Sequence, residues 1–256
     1  MINLFIFSFG AIVGSFLNVL ILRLPKEEDV IVKSSHCTSC NKKLTWYMNI
    51  PLLSYIFLRG KCHFCNAKIS LQYPLIELSS GVVALLLRPK NFDVDSLYFF
   101  LFYFSVYSVF ITHFIIDVRH KILPDSLNVY LLFTFAAFAF FHKPLIYSLS
   151  GFLIGLLFPL SVAYVFYKLK GVEGLGGGDI KLFAVLGIML GPIGILQNLF
   201  LSCLLGSIIG VSLIAFKVFD KNEGIPFGPS ILLVASAQIF SPVYFDKFSR
   251  LIGFTF

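Results

Sequence analysis

Two carboxylates stand where apolar segments begin and end. Four glycines within Gly174-Leu-Gly-Gly-Gly178 lead into Asp179, Ile180 and Lys181, and an apolar run starts at Leu182. Asp117 closes another apolar run, after Ile115 and Ile116. A carboxylate at a membrane helix is expensive and marks a functional site by default. Two that share a site cannot both ionise easily, so one keeps its proton. The ionised member can take a proton from water while the protonated one polarises a peptide carbonyl, which is hydrolysis without a covalent intermediate. Asp117 and Asp179 are therefore read as the catalytic pair of a membrane aspartic protease. Two plainer readings stay open. One is a Gly-rich turn with Asp179 as a helix cap, and the other is a proton or ion site in a coupled transporter.

A second constellation is made of thiols. Cys37-Thr-Ser-Cys40 and Cys62-His-Phe-Cys65 are two CxxC pairs in one polar stretch. Tetrahedral zinc takes four thiolates from two such knuckles, so Cys37, Cys40, Cys62 and Cys65 are the expected ligands. Two disulfides are the alternative, disfavoured if the stretch faces a reducing cytoplasm. A non-catalytic membrane scaffold carrying such a ribbon is a further possibility. Cys203, in an apolar helix, reads as packing. Asp125, directly after Pro124, is expected to cap the helix it opens. Glu77 lies within a helix and must face the bundle, where it pairs with a basic residue or supports the site.

The elements that position these groups are membrane helices. Of the 256 residues 58% are hydrophobic and 13% charged, with a mean hydropathy of +0.90; soluble domains carry about 25% charged residues. Continuous apolar segments of bilayer length recur, and their lack of alternation disfavours a β-barrel. The fold expected is an all-α polytopic membrane protein with about eight transmembrane helices and a small cytoplasmic zinc-ribbon-like loop domain. Residues 1–24 form the first helix, 25–72 the cysteine-rich loop, and 73–256 the peptidase region. The later segments begin near residues 73, 97, 125, 145, 179, 193 and 230, and Gly191-Pro192 is expected to interrupt the sixth. The net charge of +7 reads as topology, not nucleic-acid binding. No basic residue precedes the first apolar run, whereas Arg23 and Lys26 follow it, which places the N-terminus outside. Arg88, Lys90, Lys143, Lys247 and Arg250 then fall outside, and the other fifteen of the 20 basic residues fall in the cytoplasm. The same topology puts Asp117, Asp179 and the cysteines on one side, and membrane lipid is the surrounding partner.

These motifs, in this order, resemble the type IV prepilin peptidases, the leader peptidases of bacterial GxGD-type membrane aspartic proteases. The resemblance is carried by Gly14-Ser-Phe-Leu-Asn-Val with Arg23-Leu-Pro25, the paired CxxC loop, and Tyr73-Pro74 with Glu77. It continues through Asp117 with Leu123-Pro124-Asp125, Gly176 to Asp179 with Lys181, and Pro226-Phe-Gly-Pro229. Thr38 stands where members commonly have proline. The resemblance implies that Asp117 and Asp179 are the catalytic pair of an inner-membrane enzyme. It implies cleavage of the basic leader from type IV pilus prepilins or secretion pseudopilins, after a glycine and at the cytoplasmic face. It further implies methylation of the new N-terminus from S-adenosylmethionine.

Overall fold

The computed structural model describes residues 1–32, 34–89, 91–172, 174–216 and 225–251; Lys33, Lys90, Lys217 and Lys221, counted above for topology, lie outside them. The protein is 76% helical, with two isolated bridges and no strand among the described residues. Its helices are α1 (Ile2–Arg23), α2 (Leu53–Phe57), α3 (Gln72–Leu86), α4 (Val94–His120), α5 (Asp125–His142), α6 (Leu145–Lys170), α7 (Gly177–Ala215), α8 (Gly228–Phe240) and α9 (Pro242–Leu251). Leucine, phenylalanine and valine side chains stand exposed along much of α6, among them Leu153, Leu157, Phe158 and Val165. Such a surface suits lipid and would be a large unprotected apolar patch in water.

By length and composition, five helices among the described residues can cross a membrane, and the bent pair α8–α9 would make six. The sequence reading expects about eight. Two of those segments continue into one another as the 39-residue α7, and α3 is a shorter apolar helix of 15 residues. The interruption expected at Gly191-Pro192 is present as a break of backbone geometry rather than a loop. Gly191 has φ 71° and ψ −176° inside α7, and Pro192 removes a backbone donor. The Leu190 carbonyl at this break accepts the Tyr147 hydroxyl at 2.6 Å.

The chain divides into two compact units, Met1–Ser108 and Val109–Phe256. In the first, α1 lies on α3 through small residues, where a Cβ on Gly10 would come 2.5 Å from the Ser80 carbonyl oxygen. Buried Asn18 closes this seam by donating to the Tyr73 carbonyl at 3.2 Å. Arg23, also buried, braces the chain leaving α1 by donating to the carbonyls of Asp29 and Ser34 at 2.9 and 3.2 Å. In the second unit α6 packs backbone to backbone on α7. A Cβ on Gly151 would sit 2.1 Å from the Gly187 oxygen, and the converse distance is also 2.1 Å. Close approach through small residues is how membrane helices gain packing without a hydrophobic drive.

Candidate active site

Asp117 is held in the second unit by two elements. α4 runs on to His120, so Asp117 lies inside its last turns and not in the loop that the polarity of Asp117–Pro124 suggests. Arg119 and His120 favour this extension, because basic residues suit a helix C-terminus. Lys121 then turns left-handed, with φ 57°, and ends the helix. The Asp117 carboxylate is 4% exposed and its Oδ2 accepts the Gly228 backbone N–H at 2.9 Å. Gly228 opens α8, so this oxygen meets the unsatisfied N–H end of a helix. A Cβ at Gly228 would lie 2.6 Å from it. The glycine is therefore part of the site, and only the Pro226-Phe-Gly-Pro229 string hinted at that.

Asp179 stands in the first turn of α7, whose N-cap is Gly176. Its carboxylate reaches back to the Gly176 N–H, the geometry of a capping box. Gly176, not Asp179, therefore occupies the cap position, and the Asp179 carboxylate stands in the first turn behind it. Leu123 brings the two acids together. A Cβ on Gly178, beside Asp179, would touch Leu123 Cβ at 3.1 Å, and one on Gly228, beside Asp117, would touch Leu123 Cδ2 at 3.1 Å. The charge of Asp117 is felt at Asp179.

Asp125 does something other than cap its helix. Pro124 occupies the N-cap and no side chain caps α5. Both Asp125 oxygens instead accept Lys181 Nζ at 2.7 Å. This exposed pair clasps the start of α5 to the start of α7, two residues after Asp179. Glu77, in the first unit, has no basic partner among the described residues; its Oε2 accepts the Leu52 N–H at 2.8 Å and its carboxylate also meets Ser15. Leu52 is held at φ 62°, a conformation that needs such support in a residue with a side chain.

The four thiols converge in the first unit. Sulfur atoms of Cys37, Cys40, Cys62 and Cys65 all lie within 4.8 Å of one another, with Cys37 and Cys65 3.9 Å apart. Thiolates about 2.3 Å from a tetrahedral zinc stand about 3.8 Å from each other, so the set fits that ion. Each knuckle is the same small turn: the Cys37 and Cys62 carbonyls accept the N–H groups of Asn41 and Asn66, both left-handed, and a bridge closes each (His36 to Lys43, Lys61 to Lys68). Asparagine tolerates that conformation. Burial pushes the Cys37 thiol up, but the Cys40 and Ser39 N–H groups and the neighbouring thiols hold it down at about 6. The Ala67 N–H pulls Cys65 down, yet burial and the other three sulfurs push it up to about 11. Four crowded thiols resist full ionisation; a divalent cation removes that conflict.

Fold and site define a polytopic helical membrane protein with a convergent carboxylate pair and a four-cysteine cluster. Residues 8–90 match the bacterial peptidase A24 N-terminal domain, and residues 104–211 match the type IV leader peptidase family. A Xanthomonas campestris pv. campestris protein named prepilin leader peptidase/N-methyltransferase is 33% identical over 256 residues, covering 90% of this chain and 88% of its own. Proteins of the same name from Aeromonas salmonicida (35% identical, covering 89% and 87%) and Vibrio cholerae (34%, covering 94% and 97%) are similar throughout. No solved structure matches the chain. The chain belongs to the type IV leader peptidase family. The transporter reading has no support beside this membership.

Proposed function

We propose that Asp117 and Asp179 are the catalytic pair of an endopeptidase that removes the basic leader from prepilins or pseudopilins, cutting after a glycine at the cytoplasmic face of the bacterial inner membrane. The observation that carries this reading is the meeting of both acids around Leu123, each with one backbone N–H fixing its carboxylate. In the proposed step the ionised carboxylate takes a proton from water as its oxygen attacks the scissile carbonyl. The protonated partner gives its proton to the carbonyl oxygen, forming a tetrahedral gem-diol. Collapse breaks the C–N bond, with a proton passing to the leaving amine, and the pair ends with one proton as it began. The new amine begins the apolar helix of the substrate, which matches a site at the ends of membrane helices.

Zinc is the metal we propose for Cys37, Cys40, Cys62 and Cys65, where it would hold the loop and take no part in hydrolysis. S-adenosylmethionine would supply the methyl group for the second activity that the relatives' names carry.

Mass spectrometry of a synthetic prepilin incubated with purified protein and S-adenosylmethionine tests this directly. The expected products are a cut after the glycine and one added methyl. Asp117→Asn and Asp179→Asn should each abolish the cut with the protein still inserted. The double variant should be no worse, because groups that act as a unit are non-additive. Cleavage by Asp179→Asn at near the wild-type rate would end the aspartic-protease reading.

A further inference from the structure

Between the two cysteine knuckles the chain holds large apolar side chains on its surface. Trp46 and Phe57 are each 79% exposed and Ile56 is 67% exposed, with Tyr47, Leu53 and Leu71 exposed beside them in sequence. Trp46 and Tyr47 begin a short 3-10 turn, Trp46–Asn49, anchored by buried Met48, and α2 packs against that turn. The depth of this segment is set by one chain of contacts within the first unit. The Leu52 N–H, at the start of α2, donates to Glu77, whose carboxylate also meets Ser15 of α1. Ser15 stands eight residues before Arg23, the end of α1, which is about 12 Å along the helix. Leu52 therefore lies beside α1 and not beyond its end. α1 is apolar enough to cross a membrane, and its 22 residues span about 33 Å against a hydrocarbon core of about 30 Å. The exposed side chains of α2 are thus held where the hydrocarbon gives way to headgroups.

Two further features select lipid as the partner. Backbone polar groups have no water to turn to inside a bilayer and must be satisfied within the protein. Here the N–H groups of Leu53, Ser54, Ile56 and Leu58 go to carbonyls of the same short segment, and that of Leu52 goes to Glu77. Charge is the second feature. From Val30 to Ile76 the chain has six basic residues and no acidic one, so the surface suits an anionic partner. Zinc on the four thiolates would offset two of these charges and leave four. Lys42, Lys43, Arg59, Lys61 and Lys68 are all exposed and bracket the apolar residues in sequence. Aromatic and aliphatic side chains flanked by lysine and arginine are what interfacial segments use, and the basic residues are drawn to anionic headgroups. We propose that residues 46–57 dock the cysteine loop onto the membrane. The apolar side chains enter the boundary between headgroups and acyl chains, and the flanking basic residues meet the phosphates of anionic lipid. Glu77 is the buried tie that keeps the segment at that depth. Docking holds the cysteine cluster, which resumes at Cys62, against the bilayer surface. It rests on neither the zinc nor the peptidase reading.

Trp46 is the only tryptophan of the chain, so the wild type carries its own probe. The full-length protein is reconstituted in vesicles of phosphatidylcholine and phosphatidylglycerol in equal parts. Bromine on the acyl chains serves as the quencher from the lipid side, and acrylamide as the quencher from water. The expected result is a blue-shifted emission that loses most of its intensity to brominated lipid and little to acrylamide. Strong quenching by acrylamide with none by brominated lipid overturns the proposal. Shielding from both overturns it as well, because protein then covers the patch. A blue shift that arises only when a synthetic prepilin is added also overturns it, since the face is then a substrate surface. Omitting phosphatidylglycerol should weaken the quenching by lipid; equal quenching in pure phosphatidylcholine overturns the choice of anionic lipid. Ile56→Ser combined with Phe57→Ser should shift the quenching from brominated lipid towards acrylamide, and an unchanged pattern removes α2 from the docking face. Should that double variant fail to insert, the wild-type measurements still decide.

Discussion

The carboxylate of Asp117 depends on a residue with no side chain. Gly228 supplies the N–H that fixes Oδ2, and its missing Cβ leaves the space that the oxygen fills. Gly228→Ala would put a methyl 2.6 Å from that oxygen, so the carboxylate must move. A misplacement of about 1 Å in a catalytic group costs on the order of 10²-fold. We expect kcat/KM for prepilin cleavage to fall by about that factor with little change in melting temperature, measured side by side on purified protein. An unchanged kcat/KM would remove Gly228 from the site. Asp125 belongs at this scale too. It faces solvent with Lys181, and exposed ion pairs contribute about 0.2–1 kcal/mol; its value lies in where it ties α5 to α7.

Helices hold the pair by their ends and by their contacts. α6 presses Gly151 onto the Gly187 carbonyl of α7, which starts two residues before Asp179. Gly151→Leu should cost about 3 kcal/mol or more as overpacking that the facing backbone cannot relieve. Unfolding in a denaturing detergent series would reveal this as an early midpoint, and a wild-type midpoint would refute the packing account. What could be read from sequence at this scale follows from what is local. The carboxylates announce themselves because a charge at the edge of an apolar run has few uses, and the start of α5 at Asp125 follows from Pro124. The extension of α4 past Asp117 rests on the weak local preference of Arg119 and His120 for a helix end, whereas the Lys181 clasp and the part played by Leu123 arise from tertiary contacts between segments far apart in sequence.

For the molecule as a whole, the apolar exterior and the helical content place it in a membrane, and the direction in which it inserts is a proposal that can be measured. Reporters fused after Lys43, His120 and Lys170 should read cytoplasmic, and those after Asn91 and Lys143 external. An external reading after Lys43 would put the thiols in an oxidising space and favour disulfides. One zinc per chain is the expected stoichiometry by elemental analysis. Any one of Cys37, Cys40, Cys62 or Cys65 changed to Ser should release it and loosen the loop. Cleavage should persist, because the thiols take no part in the proposed hydrolysis. Metal-free wild type would refute the zinc assignment and leave the peptidase untouched. The two knuckles share one turn geometry and contribute two sulfurs each. Half a coordination sphere binds weakly, so the cluster has no useful intermediate between empty and full. With zinc held as proposed, the first knuckle would wait, open, until Cys65 has left the ribosome, with α1 already made and α3 still to come. Closure of the loop is in this sense a timing mark within biogenesis: a nascent chain halted anywhere from residue 41 to 61 should carry no zinc at all.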